Sequence, residues 1–118
     1  MQVRHWLFSY GTLRQPRVQQ ELFGRMVESV PDVLPGFRLD LLPILDAQVI
    51  ALSGSDVHPV LRRGTQSDEV VGSALRLTAQ DLRRTDSYEV SEYVRVEVAL
   101  RSGKRAFAYV HRDDAGAT

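Results

Sequence analysis

The chain has 118 residues, which suits one domain with its own hydrophobic core and leaves no room for two. Its 15 basic and 15 acidic residues give a formal net charge of +0, so the composition lacks the basic surplus of a nucleic-acid-binding domain. The sequence contains no cysteine, which excludes disulfides, thiolate nucleophiles and cysteine-ligated metals.

The composition also indicates where the protein acts. Arg4 and His5 interrupt the N-terminal apolar run, so this run lacks the order of a secretory signal peptide. No apolar stretch is long enough to span a bilayer, and the three histidines have no metal-ligand spacing. We therefore expect a cytoplasmic monomer that binds neither membrane, nucleic acid nor metal.

The N-terminal part of the chain predicts a strand, a glycine loop and a short helix. Branched and aromatic residues in Val3–Ser9 are typical of a buried strand. Pro16 suits the first turn of a helix that ends before Gly24. Gly11, in the loop between them, permits either a turn or close contact with a ligand, and these residues alone favour the turn. Loop N–H groups can nevertheless hold a small polar molecule.

The middle of the chain predicts further short strands. Prolines and a glycine break the segment Met26–Leu42 into strands separated by bends. Gln48–Leu52 predicts another strand, and the polar segment Ser53–Asp68 predicts a surface loop. Val70–Leu77 predicts a strand in which Gly72 marks a bulge or a close backbone approach.

The C-terminal part predicts a helix followed by a hairpin. Thr78 is expected to cap a helix that ends near Asp86 or Ser87. Strict alternation over Tyr93–Leu100 predicts a strand, and Ser102-Gly103 turns the chain into a last strand, Lys104–Val110.

These elements together predict the fold class and the domain organisation. Many short strands with two short helices indicate an α+β fold, with a small mixed or antiparallel sheet that curls into a barrel-like shape. We expect one domain over residues 1–111 and a flexible polar tail over residues 112–118.

Glu89 is the carboxylate best placed for chemistry, because it lies at the junction between the second helix and the strongest strand. In a partly dry site its pKa would rise into the range of a general base. An exposed glutamate, or one paired with Arg95, is the alternative, and counting alone favours it. The tyrosines at 10, 88, 93 and 109 line a pocket in one interpretation and belong to the core in the other.

Two segments in combination are similar to a known family. Tyr10-Gly11-Thr12-Leu13, directly after the first strand, resembles the signature loop of the γ-glutamyl cyclotransferase superfamily in its AIG2-like branch. Asp86-Ser87-Tyr88-Glu89, followed by Tyr93-Val94-Arg95, resembles the second signature. Weaker matches extend the resemblance over nearly the whole chain. The chain departs from the pattern at Thr85, where an apolar residue is usual, and at Val90, where a glycine is usual.

The resemblance implies an enzyme that splits a small γ-glutamyl amine or γ-glutamyl amino acid without a cofactor and releases 5-oxoproline. Glu89 matches the family's catalytic glutamate, and backbone N–H groups of Tyr10, Gly11, Thr12 and Leu13 would hold the substrate's α-carboxylate. Tyr93 and Tyr109 are candidate pocket residues. A binding or regulatory domain that keeps the pocket without turnover is the alternative, and a purely structural interaction module is a third.

Overall fold

The computed structural model describes residues 4–43, 57–89 and 93–115. Seven strands, three helices and one 3-10 turn (Thr12–Arg14) make up this part of the chain. In chain order they are β1 (Arg4–Ser9), α1 (Pro16–Phe23), β2 (Ser29–Pro35), β3 (Phe37–Pro43), β4 (Val57–Arg63), β5 (Glu69–Thr78), α2 (Ala79–Tyr88), β6 (Tyr93–Ala99), β7 (Arg105–His111) and α3 (Arg112–Ala115).

The strands form one mixed sheet, which confirms the predicted α+β class. Its order is β2-β5-β1-β7-β4-β3, with β6 paired to β7 outside this path. The described strands form an open path from β2 to β3, so the sheet is not closed into a barrel. The order places β1 beside β5, antiparallel to it, and beside β7, parallel to it.

Strand β7 is the hub of this sheet because it pairs with three strands. β6 runs antiparallel to it over its whole length, from Ala99 opposite Arg105 to Tyr93 opposite His111. β1 and β4 therefore share the other edge, β1 pairing at Phe107 and β4 at Val110. The loop after β1 consequently begins where β1 leaves β7 and β4 takes its place.

Residues of β1 alternate between two hydrophobic clusters, one on each face of the sheet. Leu7 packs with Phe23 of α1 and Leu82 of α2, so the helices cover that face. Phe8 packs into the other cluster, against which valines of β6 also lie. Burying each such large side chain contributes about 1.5–3 kcal/mol to stability. This burial fixes the orientation of β1 and therefore the point from which the following loop starts.

Local signals placed the helix boundaries correctly. α1 spans Pro16–Phe23 and ends at Gly24, whose φ of 72° is the left-handed conformation that glycine adopts without strain. The N-terminus of α2 is a capping box: the Thr78 hydroxyl accepts from the N–H of Asp81 at 3.1 Å, and the Asp81 carboxylate accepts from the N–H of Thr78 at 2.9 Å. α2 continues to Tyr88, slightly beyond the predicted end.

Two predictions need correction, and one lies outside the described residues. The segment Ser53–Asp68 is not a loop throughout, because Val57–Arg63 forms β4, which pairs with β3 and β7. Residues 112–115 of the predicted tail form the one-turn helix α3, where Asp114 accepts from the side chain of Arg62 at 2.8 Å. The strand predicted at Gln48–Leu52 falls among residues that the structure does not describe.

Gly72 marks the close backbone approach that the sequence predicts. A Cβ at this position would overlap the backbone oxygen of Ser9 and lie 2.8 Å from the ring of Phe8. Both neighbours belong to β1, whose position is fixed by pairing with β5. β1 and β5 therefore pack at this point without room for a side chain.

We expect Gly72→Ala to destabilise the protein by about 1–3 kcal/mol, because neither the backbone of Ser9 nor the buried ring of Phe8 can move aside cheaply. Urea denaturation measures the loss. Ser73→Ala, one residue along the same strand, is the control and should change stability by less than about 0.5 kcal/mol. Equal stability of the two variants would show that β1 yields to the methyl group.

Candidate active site

The loop Tyr10–Leu13 presents free backbone N–H groups beside a cation. In the 3-10 turn, the N–H of Arg14 donates to the carbonyl of Gly11 at 3.2 Å. The guanidinium of Arg14 also donates to the carbonyl of Tyr10 at 3.2 Å. Within the described ranges, no backbone carbonyl accepts a hydrogen bond from the N–H groups of residues 11–13. Backbone donors of this kind suit a carboxylate.

A buried glutamine that the sequence analysis missed fixes the end of this loop. Gln19 of α1 is only 2% exposed. Its amide nitrogen donates to the carbonyl of Leu13 at 2.9 Å, and its amide oxygen accepts from the N–H of Val27 at 3.1 Å. Sequence spacing alone gives no sign of this role, because a glutamine on a short helix usually faces water.

Gly11 lies at the surface of a depression beside the loop. Its φ is −139°, so no left-handed turn requires glycine, and a Cβ would meet no protein atom within 4 Å. The depression is lined by Gly11, Thr12, Arg14, Gln15, Pro16 and Ser73.

Tyr10 ties the loop to the hub strand. Its hydroxyl donates to the backbone carbonyl of Tyr109 at 3.0 Å, across the place where β1 leaves β7. Burial, and then the charge of Glu89, raise the pKa of Tyr10 well above its ordinary value, while the N–H of Leu61 on β4 partly opposes the rise. Tyr10 is therefore a neutral donor whose position is fixed.

Glu89 follows the last turn of α2 and lies near the loop. Its N–H donates to the carbonyl of Thr85 at 3.0 Å, after which the chain leaves the helix. Burial raises the pKa of the Glu89 carboxyl to about 7. Its charge in turn acts on Tyr10 and on Tyr109. A contact of 3.0 Å between the hydroxyls of Thr12 and Tyr88 joins the loop to the same helix end.

Arg95 pairs with Asp86 and not with Glu89, so the alternative proposed for Glu89 is not what the structure shows. The guanidinium donates to the two carboxylate oxygens of Asp86 at 2.8 and 3.1 Å and lies 4.7 Å from the ring centre of Phe107. Across residues 4–43, 57–89 and 93–115, no basic side chain forms an ion pair with Glu89. Desolvation of Glu89 is therefore not compensated by a cation.

The remaining tyrosines have separate positions. Tyr93 and Tyr109 are buried in the cluster beneath the helices, whereas Tyr88 is 45% exposed. The hydroxyl of Tyr109 donates to Asp86 at 2.6 Å and also contacts the hydroxyl of Thr85 at 2.7 Å. No three potential metal ligands of the His, Cys, Asp and Glu types cluster in the described part of the chain.

A model of gamma-glutamyl cyclotransferases of the AIG2-like type matches residues 7–118, which is most of the chain and includes both the loop and Glu89. The chain belongs to the AIG2-like gamma-glutamyl cyclotransferase family. A search of curated proteins finds no match to this chain. None of the helices within the described ranges is long and apolar enough to cross a membrane.

Solved structures share the fold of this AIG2-like chain. One Arabidopsis thaliana protein, solved in solution, is 25% identical with a TM-score of 0.71, covering 95% of this chain and 71% of its own. A second is 22% identical with a TM-score of 0.69, covering 95% and 64%. A structure named gamma-glutamyl cyclotransferase is 17% identical with a TM-score of 0.67, covering 92% and 67%. This chain thus spans about two thirds of their lengths.

The partial burial of Glu89 predicts a pH-dependent cost to the stability of this AIG2-like domain. Its pKa is about 7 in the folded state and 4.5 ordinarily, so the folded protein holds a proton that the unfolded chain has lost between these values. Stability from this group is therefore present below pH 4.5 and is lost as the pH rises through 7.

We expect Glu89→Gln to match the wild type in stability at pH 4 and to exceed it by up to about 3 kcal/mol at pH 8. Chemical denaturation of both proteins at several pH values gives the difference, in which the other titrating groups cancel. A difference that stays constant from pH 4 to pH 8 would contradict the raised pKa.

Proposed function

We propose that this domain is a γ-glutamyl cyclotransferase that converts a γ-glutamyl amine or γ-glutamyl amino acid into 5-oxoproline and a free amine. The observation that carries the proposal is the position of Glu89. A carboxylate without a cationic partner among the described residues, with a pKa of about 7, lies beside a loop in which the N–H groups of residues 11–13 donate to no backbone carbonyl of those residues. Family membership supports the reaction class.

The reaction is an internal transfer of an acyl group. Glu89 takes a proton from the substrate's α-ammonium group, and the free amine then attacks the substrate's own γ-carbonyl carbon. A new carbon–nitrogen bond closes the five-membered ring, and the bond to the leaving nitrogen breaks. Glu89 returns this first proton to that nitrogen. The ring nitrogen then gives up a second proton as the lactam forms, and the released amine takes it and leaves as an ammonium ion, so protons balance and the carboxylate is regenerated.

The loop supplies geometry. The N–H groups of Gly11, Thr12 and Leu13 would bind the α-carboxylate, with the charge of Arg14 nearby adding attraction. Once the α-carboxylate is held, the amine and the γ-carbonyl need only a folded conformation to meet. Holding reactants in such a geometry can contribute about 7–11 kcal/mol to lowering a barrier.

Glu89→Gln tests the role of the base. The amide keeps the shape of the side chain but cannot accept the ammonium proton, so we expect 5-oxoproline release to fall by about 100-fold or more. The assay uses a panel of γ-glutamyl amines and γ-glutamyl dipeptides. Glu97→Gln is the matched control. It removes a carboxylate of β6 that pairs with Arg105 of β7, and it should retain activity.

Wild-type release by the Glu89→Gln protein would overturn this assignment. Protection of the wild type against heat by these compounds, without any product, would instead favour a domain that binds γ-glutamyl compounds without converting them.

Gly11→Val tests the loop. A Cβ at this position meets no atom of the described residues within 4 Å, so the side chain has room and its methyl groups obstruct the depression. We expect the affinity for a γ-glutamyl compound to fall about ten-fold or more, measured by calorimetry with the Glu89→Gln protein as background. Unchanged affinity would remove Gly11 from the site.

A further inference from the structure

One residue, Tyr109 of β7, contacts both halves of the candidate site through different atoms. Its backbone carbonyl accepts from the hydroxyl of Tyr10, which leads into the loop. Its side-chain hydroxyl donates to Asp86 at 2.6 Å, in the last turn of the helix that precedes Glu89. The loop and the base are thus connected through a single residue of the hub strand.

The direction of the hydrogen bonds follows from the ionisation of Asp86. Burial alone would raise the pKa of Asp86, but hydrogen bonds from Arg95 and from Tyr109 outweigh it and hold the pKa below its ordinary value. An ionised carboxylate only accepts, so the proton of Tyr109 points to Asp86. The hydroxyl of Thr85 lies 2.7 Å from this oxygen, and its single proton is shared between this oxygen and the carbonyl of Leu82, also at 2.7 Å.

Thr85 explains one departure from the family pattern. Its side chain is fully buried, and its hydroxyl lies between the carbonyl of Leu82 and the hydroxyl of Tyr109, 2.7 Å from each. An apolar residue there would leave the oxygen of Tyr109 without this polar neighbour. In this chain the phenol is therefore held from two sides, by Thr85 and by Asp86.

We propose that Tyr109 is a positioning residue, whose hydroxyl holds the end of α2 while its carbonyl holds Tyr10, so that Glu89 stays buried at a fixed separation from the loop. The proposal rests on the proposed function only for its catalytic consequence. The structural part of the proposal concerns only the burial of Glu89, and it applies whatever ligand binds at this site.

The physical consequence of losing the phenol hydroxyl is hydration of Glu89. Without it, Asp86 keeps only the partly exposed pair with Arg95, and the final turn of α2 loses its bond to β7. Water then reaches Glu89 more readily, which lowers the desolvation that sets its pKa. A group that merely stabilised the fold would change the free energy of unfolding and leave the titration of Glu89 where it was.

The ionisable groups around Glu89 would not reproduce this effect. Tyr10 and Tyr109 feel its charge, and both have pKa values raised far above the neutral range by burial first. Tyr93 on β6 is coupled to Tyr10 and is also buried. Asp86 is neutralised by Arg95 and is ionised throughout the range in which Glu89 titrates. A change in the pKa of Glu89 observed between pH 4 and pH 8 would therefore report a change in the surroundings of this residue.

The test is a carbon-detected NMR titration of the Glu89 carboxyl in the wild type and in Tyr109→Phe, with Glu89→Gln to assign the signal. We expect its pKa to fall by about one unit or more in Tyr109→Phe, towards the ordinary value of 4.5. The control is Ser102→Ala, which removes a 2.6 Å hydrogen bond to Asp32 at the opposite end of the β6–β7 hairpin. The control should leave the titration unchanged.

An unchanged pKa of Glu89 in Tyr109→Phe would overturn the proposal, and so would equal shifts in that variant and in Ser102→Ala. Thr85→Val removes only the second hydrogen bond to the phenol, and it should shift the pKa in the same direction by a smaller amount. If Tyr109→Phe does not fold, Thr85→Val decides the question, and an unchanged pKa there is the contrary result.

Kinetics separate this proposal from the proposed function. If the wild type releases 5-oxoproline, Tyr109→Phe should lower kcat about 10- to 100-fold, leave KM within about two-fold, and move the acidic limb of the pH profile to lower pH. An unchanged kcat would overturn the positioning role while leaving the proposed function intact. If the wild type releases no product, the proposed function fails, and the titration of Glu89 alone decides the role of Tyr109.

Discussion

The candidate site depends on how strand β7 divides one of its edges between two partners. β1 pairs with β7 at Phe107 and then leaves it, and β4 pairs from Val110 onwards. Backbone polar groups at such a divergence must find other partners, because an unpaired buried carbonyl is costly. The hydroxyl of Tyr10 satisfies the carbonyl of Tyr109, so the divergence that opens the sheet also fixes the start of the loop.

The charges around this divergence are arranged to leave one carboxylate without compensation. Arg95 and Asp86 are both partly exposed, and such a pair contributes only about 0.2–1 kcal/mol to stability. Its larger effect is on Glu89, three residues beyond Asp86 and six before Arg95. With the guanidinium held by Asp86 and by the ring of Phe107, burial raises the pKa of Glu89. The raised pKa lowers the stability of the fold at neutral pH, and it suits the role of a base that we propose for Glu89.

The sequence predicts best those features that local chemistry determines. Pro16, Gly24 and the Thr78–Asp81 capping box set helix boundaries within a few residues, and Gly103 adopts the positive φ of the hairpin turn. The strand Val57–Arg63 escaped prediction because pairing with distant strands, and not its polar composition, determines its state. Helix ends and tight turns can therefore be predicted from short segments of sequence, whereas strands that depend on pairing with distant segments cannot.

The candidate site likewise has features that the sequence predicts and features that only the fold determines. Tyr10-Gly11-Thr12-Leu13 and Glu89 could be singled out by motif, but spacing could not tell whether Arg95 pairs with Asp86 or with Glu89. Buried partners such as Gln19 and Thr85 left no sequence signal, because their hydrogen bonds depend on the packing of α1 against the loop and of α2 against β7. Pairing and burial, which only the fold supplies, decide the chemistry.

The value of a carboxyl pKa near 7 lies in the proton that the proposed reaction must move. The substrate's α-ammonium group is a much weaker acid than an ordinary carboxyl group with a pKa of 4.5, so an ordinary carboxylate takes its proton only at a large cost. A pKa of about 7 lowers that cost by about 3 kcal/mol, and it also leaves an acid strong enough to protonate the departing amine. The same desolvation that destabilises the fold brings the pKa of the acceptor closer to that of the donor. Burial of Glu89 is therefore the property that any variant of this site must keep if it is to retain the proposed reaction.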